Sequence, residues 1–228
     1  MNRDIVNTKF YIYKQLEKDL KENMDKRIEK TITNLKQNNM EGYFVKDKEE
    51  LLLLLKSLMK QGDTIGCGDS VTLEETGVFA YIRNSGYTFY DKHQEGLTAE
   101  EKRKIYLHNF DADIFLTGTN AITVDGKLFN IDGNGSRVAP MLYGPRQVIV
   151  VAGINKLTDT VEEAINRTRQ IAAPMDAMRL KKNTPCTKLG KCIDCGHEQR
   201  ICNDFVLIAR QFIKDRIKVI LIDQKYGF

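Results

Sequence analysis

The chain has 228 residues, of which 42% are hydrophobic, so it can bury one sizeable core without a disulfide framework. Its net charge is +4 and no long block of like charges occurs, which argues against a nucleic-acid-binding arm. The longest apolar run, Leu51 to Leu55, is far below the ~18 residues of a membrane span, and the N-terminus lacks the apolar core of a signal peptide. We therefore expect one main cytoplasmic domain, with no nucleic-acid or membrane partner.

The first part of the chain has the apolar period of a helix. From Tyr13 through Leu16 to Leu35, apolar residues recur every three or four positions with charged residues between them. This pattern predicts an N-terminal amphipathic helix within residues 1–40, ahead of an α/β domain over residues 41–228. A one-sided apolar stripe of this length favours a homodimer, because one domain does not cover it.

The rest of the chain alternates short apolar segments with capped helices. Strands are predicted at GYFV, DTIGC, GYTFYD, ADIFLTG and QVIVVAG, and helices after Asp47, Ser70, Thr98 and Thr160. AITVDGKLFNI contains Asp125-Gly126, a strong signal for a β-hairpin. The alternation predicts a mainly parallel sheet covered on both faces. FVLIARQFI and IKVILID, within residues 204–223, predict a C-terminal pair of adjacent strands.

The loop GCGDS joins a predicted strand to a predicted helix. Glycines there let backbone N–H groups turn toward an anion, and a helix N-terminus favours negative charge. Gly66, Gly68, Asp69 and Ser70 are therefore candidate ligand-binding residues. The simpler alternative is a strand-to-helix turn without a ligand, since neither a dinucleotide fingerprint nor a P-loop is present. Cys67, inside the loop, is typical of a small buried hydrophobic residue.

Two further polar loops follow predicted strands. Thr119 and Asn120, in TGTNAIT, lie at the carboxyl end of a strand, where open α/β sheets bind ligands. In DGNGSRVAP, Asp132 and Asn134 precede a predicted helix, and Arg137 is suited to clamp a carboxylate or phosphate. Ordinary turn chemistry also explains Gly and Asn in these loops.

Three side chains are candidate catalytic groups: Glu74, Glu75 and Arg137. The two glutamates, one turn into the helix after Ser70, are suited to act as a nucleophile or base. First-turn acids stabilised by the helix dipole are the simpler interpretation.

Four of the five cysteines, Cys186, Cys192, Cys195 and Cys202, lie in one polar loop over residues 183–203. In a reducing cytosol, clustered thiols are more often metal ligands than disulfides. Four thiolates suit tetrahedral zinc or an iron–sulfur cluster. The spacing C-x5-C-x2-C-x6-C is neither a zinc ribbon nor a ferredoxin run, so both metals, and free thiols, stay open. We expect His197 to be a loop residue, because four cysteines complete a site.

Several segments together resemble the lactate-utilisation (LUD) domain family, in particular its short cysteine-bearing members: IGCGDSVTLEETGV, ADIFLTGTNAITVDGKLFNIDGNGSRVAPMLYGPRQVIVVAGINKL, IAAPMDAMRL and PCTKLGKCIDCGHEQRICN. The resemblance implies a three-layer α/β/α sandwich with a mainly parallel sheet, similar to ribose-5-phosphate isomerase and the CoA transferases. It also implies an anionic ligand at Gly66, Gly68, Asp69 and Ser70. The family's DGxGNR stretch carries Ser136 where Asn is usual, which leaves Arg137 as the better candidate.

The resemblance also carries expectations about function. Family members act in lactate oxidation with iron–sulfur partner subunits, and some bind clusters themselves, which favours an iron–sulfur cluster, of the 4Fe-4S type, over zinc. We expect a protein of organic-acid metabolism that binds a small lactate-like or phosphate-bearing anion, with iron–sulfur or redox subunits as partners. Two alternatives stay open. One is a non-redox isomerase or acyl-transfer enzyme that uses Glu74 or Glu75 and a structural zinc. The other is a regulatory module that binds a metabolite without turnover.

Overall fold

The computed structural model describes residues 3–228, with the side chains of Gln15 and of residues 18–228. The helices are α1 Arg3–Gln37, α2 Lys48–Leu58, α3 Val71–Glu75, α4 Val78–Arg83, α5 Ala99–His108, α6 Val138–Leu142, α7 Val161–Arg167, α8 Ala173–Arg179 and α9 Pro185–Leu189. The strands are β1 Glu41–Val45, β2 Thr64–Cys67, β3 Thr88–Phe89, β4 Ile114–Thr117, β5 Ala121–Thr123, β6 Leu128–Asp132, β7 Gln147–Gly153, β8 Leu157–Thr158, β9 Asp204–Ile208 and β10 Ile217–Ile222. A π-helical turn, Thr168–Ala172, joins α7 to α8.

The central sheet has six parallel strands in the order β1-β10-β7-β4-β2-β3. Alternate residues of β7 enter opposite cores: Val148 and Val150 pack toward α1, whereas Ile149 and Val151 pack toward α2, α3 and α4. Strands buried on both faces need apolar side chains on both, which explains the nearly continuous apolar runs. The predicted three-layer α/β/α fold is therefore confirmed, with a small second sheet beside α1.

The long helix α1 packs against the core through its C-terminal half. Ile28 and Leu35 are buried in the core cluster, and Met24 and Ile32 pack against it. Leu20, one turn earlier, is 62% exposed. The side chains of Tyr13 and Leu16, which begin the predicted stripe, lie outside the described residues. Among the helices described, none is long and apolar enough to cross a membrane.

The predicted hairpin forms part of the second sheet, whose strand order is β8-β5-β6-β9. Strands β5 and β6 are antiparallel, and the turn residue Gly126 has a φ of +79°. A Cβ at Gly126 would lie 2.6 Å from the backbone of Asn34 and Leu35 in α1. Glycine is therefore needed here for its positive φ and also for the close approach of the hairpin to α1.

Gly126→Ala is expected to destabilise the protein by about 3 kcal/mol, because backbone strain and a backbone clash act together. Gly62→Ala is the matched control. Gly62 also has a positive φ, +91°, but a Cβ there would meet nothing within 4 Å. Strain alone should cost about 1 kcal/mol in this control. Urea denaturation measures both values, and equal losses in the two variants would contradict the packing role of Gly126.

The prediction of a C-terminal strand pair within residues 204–223 is wrong. Strand β9 pairs antiparallel with β6 at the edge of the second sheet. Strand β10 lies between β1 and β7 in the central sheet and pairs parallel with both. The two strands are close in sequence but belong to different sheets, because β10 is apolar at every position except Lys218 and requires burial on both faces.

Candidate functional site

A polar cavity of about 510 Å³ lies at the carboxyl ends of the parallel strands β2, β4 and β7. Its walls come from the loops after these strands, the loop after β6, and residues 168–182 around α8. Open parallel sheets bind their ligands at this edge. The volume lies within the range of small-molecule and cofactor sites, about 300 to 1,000 Å³. We refer to this space as the anion cavity.

Charged side chains line the anion cavity with an excess of positive charge. Three are carboxylates: Asp69, Asp132 and Asp176. Six are basic: Lys92, Arg137, Lys156, Arg179, Lys182 and Arg200. A cleft lined mainly by one sign of charge concentrates ligands of the opposite sign. The electrostatics of the cavity therefore favour an anion.

The structure brings most of the predicted ligand-binding residues together. Seven of the predicted site residues line the cavity: Asp69, Ser70, Thr119, Asn120, Asp132, Asn134 and Arg137. They come from the segments that follow β2 and β4, two strands of the central sheet that end at the same edge, and from the end of β6 with the loop after it. The predicted residues Gly66, Gly68, Glu74 and Glu75 are not among those lining the cavity.

The two glycines serve close packing. A Cβ at Gly66 would collide with Asn109 Oδ1, and one at Gly68 would lie 2.7 Å from Thr117 Oγ1 and 2.8 Å from Arg137 Cγ. The N–H of Gly68 donates to Leu116 O at 2.9 Å, within the sheet. The Gly68 N–H is therefore already paired and is not turned toward the anion cavity. Gly68 instead gives Arg137 room to enter the site.

Glu74 and Glu75 are exposed. Glu75 Oε2 accepts a hydrogen bond from the N–H of Gly227 at 2.7 Å, so the side chain ties the C-terminal segment to α3. The catalytic role of these glutamates stays a prediction, and neither lines the cavity.

The side chain of Arg137 is largely buried and connects the loops through hydrogen bonds. Its Nη1 donates to Asn130 Oδ1 at 2.6 Å, and its Nη2 donates to Asn120 Oδ1 at 3.1 Å and Ile131 O at 2.8 Å. Its Nε lies 3.5 Å from Asp132 Oδ2. Most of the guanidinium donors are thus used within the protein, which leaves no free two-pronged clamp for a ligand. Burial lowers the pKa of Arg137, and Asp132 opposes this.

Arg137→Leu is expected to destabilise the protein by about 3 kcal/mol, because three buried acceptors lose their charged donor. The exposed Arg146→Leu is the control. Its side chain is 88% exposed and lies 3.8 Å from Asp113, so a change within about 0.5 kcal/mol is expected. Urea denaturation measures the free energy of unfolding of both variants. Similar losses of stability in the two would contradict a stabilising role for the hydrogen bonds of Arg137.

Asp69 connects the loop after β2 to α8. Its Oδ2 accepts a hydrogen bond from Arg179 Nη2 at 2.6 Å, and Arg179 also pairs with Asp176 at 2.8 Å. Burial favours the neutral carboxyl, but the nearby charges of Lys92 and Arg179 outweigh it and lower the pKa of Asp69. Asp69 therefore stays ionised at neutral pH and fixes the position of Arg179, a basic group of the cavity.

Lys156, which was not among the predicted site residues, is a buried amine in the cavity wall. It is 5% exposed, and its Nζ donates to Thr72 Oγ1 at 2.9 Å. Burial, followed by the charges of Arg167 and Arg137, lowers its pKa to about 7. The surrounding INKL sequence carries no motif that would have indicated this role.

The four clustered cysteines line a second, smaller cavity, which we call the cysteine cavity. Its remaining walls are mainly apolar and include Ala173, Pro174, Ala177, Ile193 and Ile201. The thiols are partly buried. The four side chains therefore border one small space, with Cys186 in α9 and the other three in the segment after it. Their role as metal ligands stays a prediction.

Donors and positive charges surround the cysteine cavity. Arg169 Nη2 lies 3.8 Å from Cys192 Sγ, and the Asp194 N–H lies 3.4 Å from the same sulfur. Arg200 donates to Cys195 O at 2.6 Å and Cys202 O at 2.8 Å. These contacts hold the loop and place two guanidinium groups where thiolate charge would develop.

The donor set fits a thiolate-binding metal, but the loop is closed around a small space. The cysteine cavity measures about 20 Å³, close to the room of one water molecule. Within residues 18–228, no three His, Cys, Asp or Glu side chains are placed to hold one metal ion. A cluster would therefore require the loop to move outward. Gly190 and Gly196, both exposed, leave the backbone on either side of Cys192 and Cys195 free of packing.

Cys67 and His197, which were not predicted to be metal ligands, do not line the cysteine cavity. Cys67 is buried in the core, and burial raises the pKa of its thiol to about 12. This agrees with its interpretation as a small hydrophobic residue. His197 Nδ1 accepts a hydrogen bond from the Gln199 N–H at 3.1 Å, and its ring is not among the residues lining the cysteine cavity.

Comparison with known proteins identifies the family. The model of a family described as the LUD domain matches residues 28–222, which is most of the chain. The chain belongs to the LUD domain family. The match includes the central sheet, the anion cavity and the cysteine loop of this LUD domain.

The fold of this LUD domain is also similar to that of a solved structure. A crystal structure of a DUF162 family protein from Deinococcus radiodurans superposes with a TM-score of 0.46 at 12% sequence identity. The alignment covers 88% of this chain and 96% of that one. No curated protein matches the sequence.

Proposed function

We propose that this lactate-utilisation-type protein binds a small organic anion next to a 4Fe-4S cluster held by the four clustered cysteines. One observation carries the proposal: the anion cavity and the cysteine cavity share a wall. Ala173, Arg200 and Ile201 line both. A metal centre in the smaller cavity would therefore lie one side chain away from a ligand in the larger one.

The anion half of the proposal rests on charge and position. Basic side chains outnumber carboxylates in the cavity, and Lys182, which is partly exposed at its rim, adds a cation at the entrance. The cavity is larger than a three-carbon acid requires, so both a lactate-like acid and a phosphate-bearing acid are compatible with it. The ligand class we propose is a carboxylate of this kind.

The metal half rests on the donors around the thiols. Four thiolates are the usual ligands of a 4Fe-4S cluster, and charge and hydrogen bonds near the sulfurs set its potential. Arg169 and Arg200 supply positive charge, the Asp194 N–H supplies a donor to Cys192, and apolar side chains shield one side. When bound, the cluster would supply one-electron chemistry that the amino-acid side chains lack.

Arg200 is the residue through which we expect the two cavities to communicate. Arg200 lines both cavities, and its guanidinium is hydrogen-bonded to the carbonyls of Cys195 and Cys202. Asp194 lies 3.0 Å from its Nη2. An anion bound close to Arg200 would partly neutralise the charge of its guanidinium group. The electrostatic potential at the cysteine loop would then change.

A structural zinc site in a non-redox or regulatory protein is the second candidate. The small volume of the cysteine cavity favours it, since a single ion needs less movement of the loop than a cluster does. In that case the chemistry would belong to the anion cavity alone.

Anaerobic purification followed by metal analysis tests the proposal. We expect visible absorption near ~400 nm, with iron and sulfide in equal amounts and close to four of each per chain. Stoichiometric zinc without colour would contradict the cluster and support the second candidate. The sample must be handled without oxygen, because a cluster with partly exposed cysteines is lost in air.

The proposal also includes expectations about the cellular compartment, a redox partner and the oligomeric state. Reduced thiols require a reducing compartment, so we place the protein in the cytoplasm. Electron transfer would need a redox or iron–sulfur partner subunit.

The exposed Leu20 on α1 supports our expectation of a homodimer, and analytical ultracentrifugation of the wild type and Leu20→Glu tests it. A mass of about 52 kDa for the wild type and 26 kDa for the variant is expected, since the chain mass is 26.1 kDa.

A further inference from the structure

Lys156 has the surroundings of a nucleophile. It ends the 3₁₀ turn Ile154–Lys156 after the central strand β7, and its side chain lines the anion cavity. Its amine donates one hydrogen bond, to the buried hydroxyl of Thr72. In the part of the chain that the structure describes, no carboxylate lies within the 4.0 Å of an ion pair. Lys218, by contrast, lies 2.5 Å from Glu41.

The charges that face Lys156 come from three elements. Arg167 of α7 and Arg137 at the start of α6 disfavour a second cation, and Glu75 of α3 has a smaller, opposite effect. Gly227 also lies close to the amine, since a Cβ there would lie 3.1 Å from Nζ. Burial and two guanidinium groups therefore keep much of the amine neutral near pH 7, as a nucleophilic lysine requires.

Lys92, a partly buried lysine that lines the same cavity, provides a contrast. Burial lowers its pKa too, but the carboxylate of Asp69 acts in the opposite direction and favours the ammonium. Lys92 is thus suited to attract an anion. Lys156 is suited to react with one.

We propose that Lys156 condenses with the carbonyl group of a 2-oxo acid bound in the anion cavity. The Nζ lone pair attacks the carbonyl carbon, and the carbonyl oxygen takes up protons and leaves as water, so that amine and ketone become imine and water. A 2-oxo acid is the oxidation product of a lactate-like acid, and its carboxylate suits the basic walls. The inference rests on the anion cavity of the proposed function and is independent of the metal.

Reductive trapping tests the inference. The full-length protein is incubated with pyruvate and sodium cyanoborohydride near pH 7, where the reagent reduces imines in preference to ketones. Intact-mass and peptide mass spectrometry then locate the added group. We expect one group per chain, on Lys156, and a loss of at least about tenfold in Lys156→Met. Lys56→Met, a change at an exposed position of α2 outside the anion cavity, should keep the label on Lys156. Acetone, which lacks the carboxylate, should label more slowly.

The possible outcomes distinguish a failure of imine formation at Lys156 from a failure of anion binding in the cavity. Label spread over surface lysines, or retained in Lys156→Met, would overturn the inference. If calorimetry detects binding of lactate or pyruvate to the wild type but trapping yields no label, the imine is excluded and the anion site stands. If neither acid binds, the anion half of the proposed function fails. Because the main result is the position of the label on the wild type, a misfolded variant cannot decide the test.

Discussion

Replacing Cys195 by serine is expected to reduce the iron content of the anaerobically purified protein by at least about tenfold, with loss of the absorption near ~400 nm. Cys195 lies in the wall of the cysteine cavity, between the exposed Asp194 and Gly196. A serine hydroxyl is a poor ligand for iron, so a four-thiolate site loses one of its bonds. Cys192→Ser should give the same result, since its sulfur lies in the same wall.

Cys67→Ala is the matched control for these variants. Cys67 is the fifth cysteine of the chain, buried in the core among apolar side chains. Its replacement should leave iron and sulfide per chain unchanged, with only a modest loss of stability from the smaller side chain. Equal iron contents in Cys67→Ala, Cys195→Ser and the wild type would show that the clustered cysteines do not hold the metal.

The second large effect concerns stability and pH. Lys156→Met is expected to be more stable than the wild type by on the order of 4 kcal/mol at pH 6, with a difference that shrinks toward pH 10. The size follows from a pKa that burial lowers from 10.5 to about 7. Below pH 7 both folded and unfolded chains carry the proton, and the cost of burying the charge is present in full. Between about pH 7 and 10.5 the unfolded chain binds a proton that the folded chain does not, so the stability of the wild type rises with pH.

Urea denaturation at several pH values measures this difference. Lys56→Met is the control, because Lys56 is exposed on α2, and its difference from the wild type should be small at every pH. A difference between Lys156→Met and the wild type that does not change with pH would mean that the amine is not buried in its charged form at pH 6.

Local signals in the sequence predicted most of the elements. Thr98 and Glu101 form the capping box that begins α5, and Asp47 and Ser70 cap α2 and α3. Such contacts join residues three positions apart, so the sequence alone contains them. The pairing of β9 and β10 depends instead on strands far away in the chain, and here the local prediction was wrong.

The sequence predicts the site residues that lie at the ends of strands. It does not predict those that lie in helices or in the cysteine segment. Asp69 and Asn120 lie in loops after strands of the parallel sheet, which brings these loops together, and Asp132 ends β6 of the adjoining second sheet. Arg179 lies in α8 and Arg200 in the cysteine segment, and their approach depends on helix packing that the sequence does not specify. Gly66 and Gly68 had a suitable pattern for binding an anion, but steric crowding against Asn109 and Thr117 is what requires glycine there.

The most direct test of the account is a redox titration of the anaerobic protein, followed by electron paramagnetic resonance, with and without saturating pyruvate. Because Arg200 lines both cavities, we expect pyruvate to shift the midpoint potential and the spectrum of the cluster. Arg200→Gln should retain the cluster signal and lose most of this shift. A cluster whose potential and spectrum are the same with and without bound pyruvate would contradict the claim that the anion and the metal occupy neighbouring sites.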